Sequence, residues 1–351
     1  MKKVMFVCQS LANGGAERVV SVLSEAMKDK YQVYILTLGS NASAYPVSKN
    51  VKVIAPNINK KGFAQKRARI KTIKKTIIEY GIDIIIAFSH YNAMYSVLAA
   101  HGMKNVRVIG SERNDPAQLA DRKFLNWYRN RLYRKLDCLV CQTEDAKNYF
   151  PEEIQKKSVI ILNPLKKDLP ARFEGKREKR IVSFSRLEKQ KNIPMLIDAF
   201  EMLHKECPEY RLDIYGNGSE KDSILEYLKQ KGMTDCVKIS PFQKNIHEIV
   251  LRATAFALSS DYEGLSNSML EAMAIGLPTV VTDCPCGGAR MVIKDGENGL
   301  LVPVGDSKTM YKKLKYLIDN PEVAEKISQA GTLLRTELSM EEISKQWMNT
   351  L

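Results

Sequence analysis

Short apolar runs alternate with longer amphipathic stretches along the whole chain. In the first half, residues 4–8, 31–38, 82–88, 106–110 and 138–141 read as strands, and 16–27 as a helix. The pattern pauses over residues 163–180, which are polar and charged and contain Pro164 and Pro170. It then restarts, with strands expected at 180–185, 211–215, 237–239, 254–258 and 279–282. Helices are expected at 192–205, 221–231, 247–251 and 267–275. Such alternation builds a parallel sheet covered on both faces. The expected organisation is α/β, with two doubly wound, Rossmann-like domains. The first spans residues 1–165, a linker 166–180, and the second 181–335, while residues 336–351 form a helix returning toward the first domain. Ligands of open parallel sheets bind beyond the carboxyl ends of the strands, so two such domains are expected to face a central cleft that holds the site.

Length and composition agree with two soluble domains: 351 residues, 44% of them hydrophobic. An apolar run such as Ile84-Ile85-Ile86-Ala87-Phe88 is far too short to span a bilayer. The first eight residues resemble a signal peptide only superficially, because the apolar stretch stops at Gln9 and no cleavage site follows. The seven cysteines are scattered and no His/Cys cluster completes a zinc site, which suits reduced cysteines of a cytosolic protein. Charge changes the picture more. The net charge is +14, and residues 1–165 carry 27 Lys and Arg against 13 Asp and Glu. The remaining residues carry 27 of each, so the whole excess lies in the first half. A one-sided basic field implies an anionic partner for that half: a membrane surface, a nucleic acid or a phosphorylated acceptor.

The stretch from Glu263 to Glu271 is the most informative in the chain. Its first half is a small-residue turn, and its second half starts a helix that Ser266 or Asn267 can cap. Glu271 lies about one turn inside and leans back toward the helix start, so both carboxylates are expected to converge there. Backbone N–H groups of 264–267 favour an anion at that point. A phosphate flanked by carboxylates suggests a sugar nucleotide, whereas two surface glutamates on a solvated helix are the plainer alternative. Gly14 and Gly15 follow the first strand in a turn that lets a ligand approach the backbone, although a tight turn alone explains them equally well. The turn lacks the G-x-G-x-x-G spacing of nicotinamide enzymes. A second glycine turn, at Gly216 and Gly218, is of the same kind. Arg186 and Lys191 follow the first strand of the second domain, where a guanidinium fork and a mobile ammonium could neutralise a departing diphosphate.

Several segments together carry a resemblance, in order along nearly the whole chain. They are Asn13-Gly14-Gly15-Ala16-Glu17-Arg18, Ser185-Arg186-Leu187 with Lys191-Asn192, Glu263 through Glu271, residues 274–281, and Gly287-Gly288-Ala289-Arg290. This chain resembles family-4 retaining glycosyltransferases of the GT-B fold. In particular it resembles bacterial enzymes of capsule, O-antigen or lipid-linked oligosaccharide assembly, several of which use UDP-activated hexoses. The resemblance implies that Glu271 binds the ribose hydroxyls and that Glu263 holds hydroxyls of the transferred sugar. It implies that Gly264, Leu265 and Ser266 contact sugar and phosphate, that Arg186 and Lys191 grip the diphosphate, and that Gly14 and Gly15 approach it from the first domain. Phe242 and Gln243 lie where the family seats the base. No metal and no cofactor are implied, only a UDP-sugar as co-substrate. One departure is evident: where many members carry Glu-His, this chain reads Glu112-Arg113, and an arginine cannot act as a base at neutral pH. Arg113, Glu112 and His90 are acceptor-side candidates.

Two basic segments complete the reading. Residues 60–75 include Lys66, Arg67, Lys71 and Lys74, with Phe63, Ile70, Ile73 and Ile77 on one helical stripe. Residues 122–135 interleave Arg122, Lys123, Arg129, Arg131, Arg134 and Lys135 with aromatics that include Trp127. Such segments suit an anionic membrane interface or a polyprenyl-diphosphate acceptor. The expectation is a metal-independent transferase peripheral to the cytoplasmic membrane face, moving a hexose or N-acetylhexosamine from a UDP-sugar to a glycan acceptor. A sugar-nucleotide epimerase of the same fold would need no basic face. A nucleic-acid-binding protein would leave the two glutamates unexplained.

Overall fold

The structure is a computed structural model and describes residues 1–12, 14–39 and 47–351. It divides into two compact units: Met1–Pro164 with Met340–Leu351, and Leu165–Ser339. The first unit is a parallel sheet of β1 (Lys3–Cys8), β2 (Gln32–Thr37), β3 (Lys52–Ile54), β4 (Ile84–Phe88), β5 (Arg107–Ser111), β6 (Cys138–Cys141) and β7 (Ser158–Ile160). Its strand order is β3-β2-β1-β4-β5-β6-β7. Val4 pairs with Val33 on one side and with Ile84 on the other. Strands with helices on both faces must be apolar throughout, which is why β4 reads Ile-Ile-Ile-Ala-Phe and is buried along its length. Helices Gly62–Tyr80, His90–Ala99 and Lys123–Tyr133 pack in a row, and Gly15–Met27 packs against Met340–Met348. On that last helix Trp347 is fully buried, stacked on Phe88 with centroids 5.6 Å apart.

The second unit repeats the plan with β8 (Glu178–Phe184), β9 (Arg211–Tyr215), β10 (Val237–Ser240), β11 (Ala253–Leu258), β12 (Thr279–Thr282) and β13 (Leu300–Val302). Its order is β10-β9-β8-β11-β12-β13, again all parallel. Three strands escape the sequence pattern: β3, β7 and β13. Each is three residues long and lies at a sheet edge, too short to show a period.

Residues 166–177 are not a linker but belong to the second unit. Leu169 is buried, and Arg177 donates to the carbonyls of Ala253 (3.0 Å) and Gly276 (2.7 Å) and to Ser328 Oγ (3.0 Å). Two basic side chains of the segment thus hold it to this unit, Arg177 through backbone carbonyls and Arg172 through its ion pair with Glu325. Among the described residues no helix is long and apolar enough to cross a membrane. Strand order reverses between β1 and β4 in the first unit and between β8 and β11 in the second. Loops that leave adjacent strands at such a point diverge and open a crevice.

Candidate active site

The site of the second unit is assembled from the loops that follow β8, β11 and β12. After β8 a short turn, Lys189–Lys191, ends at Asn192 in the left-handed region (φ 41°), a conformation that asparagine tolerates. Asn192 Oδ1 accepts from Met195 N (3.3 Å) and caps helix Ile193–Glu206, while its Nδ2 donates to Asp261 Oδ1 (2.7 Å). Ser259 Oγ reaches the carbonyls of Lys191 and Asn192, both at 2.9 Å, and Asp261 N donates to Gln190 O at 2.9 Å. The two loops are thus joined side by side before any functional side chain is considered.

They bring Lys191 and Glu263 into a direct ion pair. Ser260 Oγ donates to Glu263 Oε1 (2.8 Å), and Gln190 Nε2 donates to Glu263 Oε2 (3.3 Å) and to Tyr262 O (2.7 Å). The side chains of the pair are only 9% and 14% exposed. A carboxylate withdrawn from water requires such donors. The third loop holds the backbone of the same residue: Glu263 N donates to Pro285 O (2.6 Å) and Cys286 N to Glu263 O (2.9 Å). Gly288 lies directly against the Gly264 carbonyl, where a Cβ would overlap the oxygen. Ser266 Oγ accepts from Met269 N and caps helix Asn267–Ala274. Ser260, Glu263, Ser266, Thr282 and Cys284 line a small pocket beside that cap. Burial, and then the charge of Glu263, push the Cys284 thiol up to about 12, so it stays protonated and is no nucleophile at neutral pH.

Glu271 is buried as well, but its carboxylate faces another partner. Oε2 lies 2.9 Å from Nε2 of His247, on helix Ile246–Val250, and both side chains are almost fully enclosed. Neither glutamate is a solvated surface residue, so the plainer alternative fails. The expected convergence of both carboxylates is only half met: Glu263 and Ser266 meet at the pocket, and Glu271 reaches His247 instead. Gly264 and Leu265 are buried in the turn between them. Arg186 is exposed. Phe242 is half-exposed after β10, beside Gln243, whose amide donates to Pro241 O (3.3 Å). Gly216 packs its Cα against the Ser185 carbonyl and donates its N–H to Ser240 O (2.9 Å), a close backbone approach that itself requires glycine.

In the first unit Gly14 is the extended residue ahead of helix Gly15–Met27, and the Glu17 carboxylate folds back over it. Asn13 lies outside the described residues. His90 opens helix His90–Ala99 directly after Ser89, a non-glycine residue at φ 84°. Such backbone strain is a feature of functional sites. Burial, with Arg129 and Arg122 nearby, pushes His90 down to about 4, so it is neutral at pH 7. Glu112 accepts from Tyr133 OH (3.0 Å), and burial raises its pKa. Arg113 donates to Asn163 and lies 5.3 Å from the Phe88 ring centre; burial and the neighbouring Arg18 push it down to about 9, still charged at neutral pH. Its guanidinium is committed to contacts within the unit.

The basic segments need correction. Lys66, Arg67, Lys71 and Lys74 are exposed on helix Gly62–Tyr80, but the apolar stripe divides. Ile73 and Ile77 are core, while Phe63 is 73% exposed. Arg129 is not a surface charge; it is fully buried, donates to Pro116 O (3.0 Å) and lies 4.9 Å from the Phe150 ring centre. Phe124 (76% exposed) and Trp127 (55%) remain outside, with Arg131 5.9 Å from the Trp127 ring centre. Sequence reasoning missed Gln190, Ser260 and His247. Gln190 adjoins Lys191, and Ser260 lies three positions before Glu263. His247 carries no local signal, because its partner lies 24 positions away. Among the described residues no group of three or more His, Cys, Asp or Glu side chains is placed to hold a metal ion.

Residues 13–168 match the family model for Glycosyltransferase Family 4, and residues 166–333 match that for Glycosyl transferases group 1. The chain belongs to this family of GT-B glycosyltransferases and is a nucleotide-sugar-dependent enzyme. It is 26% identical to the amylovoran biosynthesis glycosyltransferase AmsD of Erwinia amylovora, with 100% of each chain covered. It is 25% identical to a Campylobacter jejuni α-1,4-N-acetyl-D-galactosaminyltransferase named for a PP-undecaprenol-linked glycan, covering 100% of this chain and 98% of the relative. The fold matches that of Anabaena HepE, solved in complex with UDP, with a TM-score of 0.82 at 18% identity over 100% of this chain and 99% of that one.

Proposed function

We propose that this glycosyltransferase moves a hexose or N-acetylhexosamine from a UDP-sugar to a lipid-linked or polysaccharide glycan acceptor at the cytoplasmic membrane face, with retention and without a metal. The Lys191–Glu263 pair at the strand-order reversal carries the reading. An ammonium and a carboxylate held together at a crevice can divide between the diphosphate and the hydroxyls of one sugar nucleotide. In this reading Lys191, joined by Arg186, takes charge from the leaving diphosphate while Glu263 orients the sugar. The amides of Gly264, Leu265 and Ser266 contact sugar and phosphate, and Glu271 binds the ribose. Phe242 and Gln243 flank the base. The bond from the anomeric carbon to the diphosphate breaks, the bond to the acceptor oxygen forms on the same face, and the acceptor proton passes to the departing phosphate. The enzyme contributes placement and charge stabilisation rather than a side-chain base. The names of the Campylobacter and Erwinia relatives support a glycan acceptor, and the HepE complex supports UDP.

Calorimetry with UDP-, GDP-, ADP- and CMP-sugars, with and without EDTA, tests the donor. Micromolar binding of one UDP-sugar, unchanged by EDTA, is the expected result. Binding that EDTA abolishes, or that favours another nucleotide, would overturn the corresponding half of the reading.

Membrane contact is assigned to the starts of helices Gly62–Tyr80 and Lys123–Tyr133. The first follows β3 and the second follows β5, and neither has an acidic residue in its first turn. Each is preceded by a basic N-cap residue, Lys61 and Arg122, which opposes the helix dipole, an arrangement that an anionic surface offsets. Changing Lys66, Arg67, Lys71 and Lys74 together to glutamine should weaken binding to anionic vesicles by at least ~100-fold, at about 1 kcal/mol per charge. Affinity for the donor should not change. Vesicle binding equal to that of the parent would remove this helix as the contact.

A further inference from the structure

We infer that His247 is a positioning residue: it fixes the Glu271 carboxylate and thereby sets how strongly the enzyme distinguishes a ribose from a deoxyribose. The inference rests on the reading of Glu271 as the ribose-binding carboxylate.

Three observations carry it. First, His247 Nε2 and Glu271 Oε2 are 2.9 Å apart, and both residues are buried. Second, the imidazole is itself fixed: the Phe184 ring meets it edge-on, with an interplanar angle of 85° and centroids 6.0 Å apart. Third, the two partners sit on different helices, Ile246–Val250 and Asn267–Ala274, which flank β11 in sequence. The bond therefore ties the glutamate to a second element of the scaffold.

The terminal torsion of a glutamate is broad and roughly two-fold, so a carboxylate without a directing donor samples many planes. Recognition of adjacent hydroxyls requires one plane. A buried carboxylate also requires a donor to remain ionised; without one, its pKa rises, and a protonated acid accepts poorly. His247 meets both requirements from the side of the protein. The Phe184 ring gives the imidazole an apolar neighbour, so a leucine could pack there while removing the donor.

The test uses the full-length enzyme with UDP and 2′-deoxy-UDP as probes. The parent should bind UDP about tenfold more tightly than 2′-deoxy-UDP, as expected for one hydrogen bond to a charged group. In His247→Leu the UDP Kd and the donor KM should rise about tenfold, kcat should change by less than about threefold, and the UDP preference should fall close to one. His247→Gln, which keeps an amide donor, should restore most of the preference; His247→Asn, one methylene shorter, should not. A residue that only supported the fold would lower the melting temperature and leave the preference intact. A parent-like preference in His247→Leu, or in His247→Asn should the leucine variant fail to fold, would overturn the inference while leaving the donor assignment standing. A parent enzyme that binds UDP and 2′-deoxy-UDP equally would remove the ribose reading of Glu271 and this inference with it. No UDP binding by the parent would remove the UDP donor assignment as well.

Discussion

Lys191→Ala loses turnover and stability together, and a second substitution separates the two losses. The ammonium is the strongest donor to a carboxylate that is largely withdrawn from water, and Ser260 and Gln190 supply the remainder. Removing one partner of such a pair leaves the other uncompensated. The cost for fully buried pairs is about 3–5 kcal/mol, and the two remaining donors place this case near the lower end, ~3 kcal/mol. Turnover should fall by about 10²–10³-fold, the usual effect of deleting one group that stabilises charge in the transition state. Adding Glu263→Gln removes the stranded charge and should return most of the melting temperature but none of the activity. Thermal melts and kcat on parent, single and double variants read both quantities. Turnover of Lys191→Ala within a factor of about three of the parent would remove Lys191 from the catalytic machinery.

Gly288→Ala should be nearly as damaging, although residue 288 need never touch a substrate. Its Cα lies against the Gly264 carbonyl, and a Cβ there overlaps main-chain atoms rather than a side chain that could rotate away. The loop carrying Glu263 is simultaneously bonded to Pro285 and Cys286, so the two strands of backbone must separate or tilt together. A displacement of about 1 Å at a reacting group can cost about 100-fold in rate. The expected outcome is a fall in kcat/KM of that order with the circular dichroism spectrum retained. A kcat/KM within about threefold of the parent would show that the Glu263 loop tolerates the displacement.

Most of the architecture was legible because parallel strands buried on both faces must be continuously apolar. Val4–Cys8, Ile84–Phe88 and Ala255–Leu258 announce themselves in this way. The short edge strands β3, β7 and β13 were not, since three residues cannot show a pattern. The candidate site was legible where it is local in sequence: Glu263, Ser266 and Glu271 fall within one turn and one helix. What joins it together was not. Gln190 meets Glu263 across 73 positions and His247 meets Glu271 across 24, and only the fold determines such pairs. Charge was the least faithful guide. Arg129 lies in a basic run yet is fully enclosed, and the polar stretch before β8 is bound to the second unit rather than connecting two bodies. Composition reports how many charges a segment has, not which of them meet water.

The last helix has a consequence for how the chain is made. Trp347 lies over Phe88, and Arg107 donates to the Thr350 carbonyl, so residues beyond 339 complete the unit that residue 1 began. During synthesis the second unit is whole once Ser339 has emerged, while the first still has a large aromatic ring uncovered beside β4. Of the two units, the one whose synthesis begins earlier is therefore the last whose interior can close. Throughout translation its Phe88 face waits for a segment that has not yet been made.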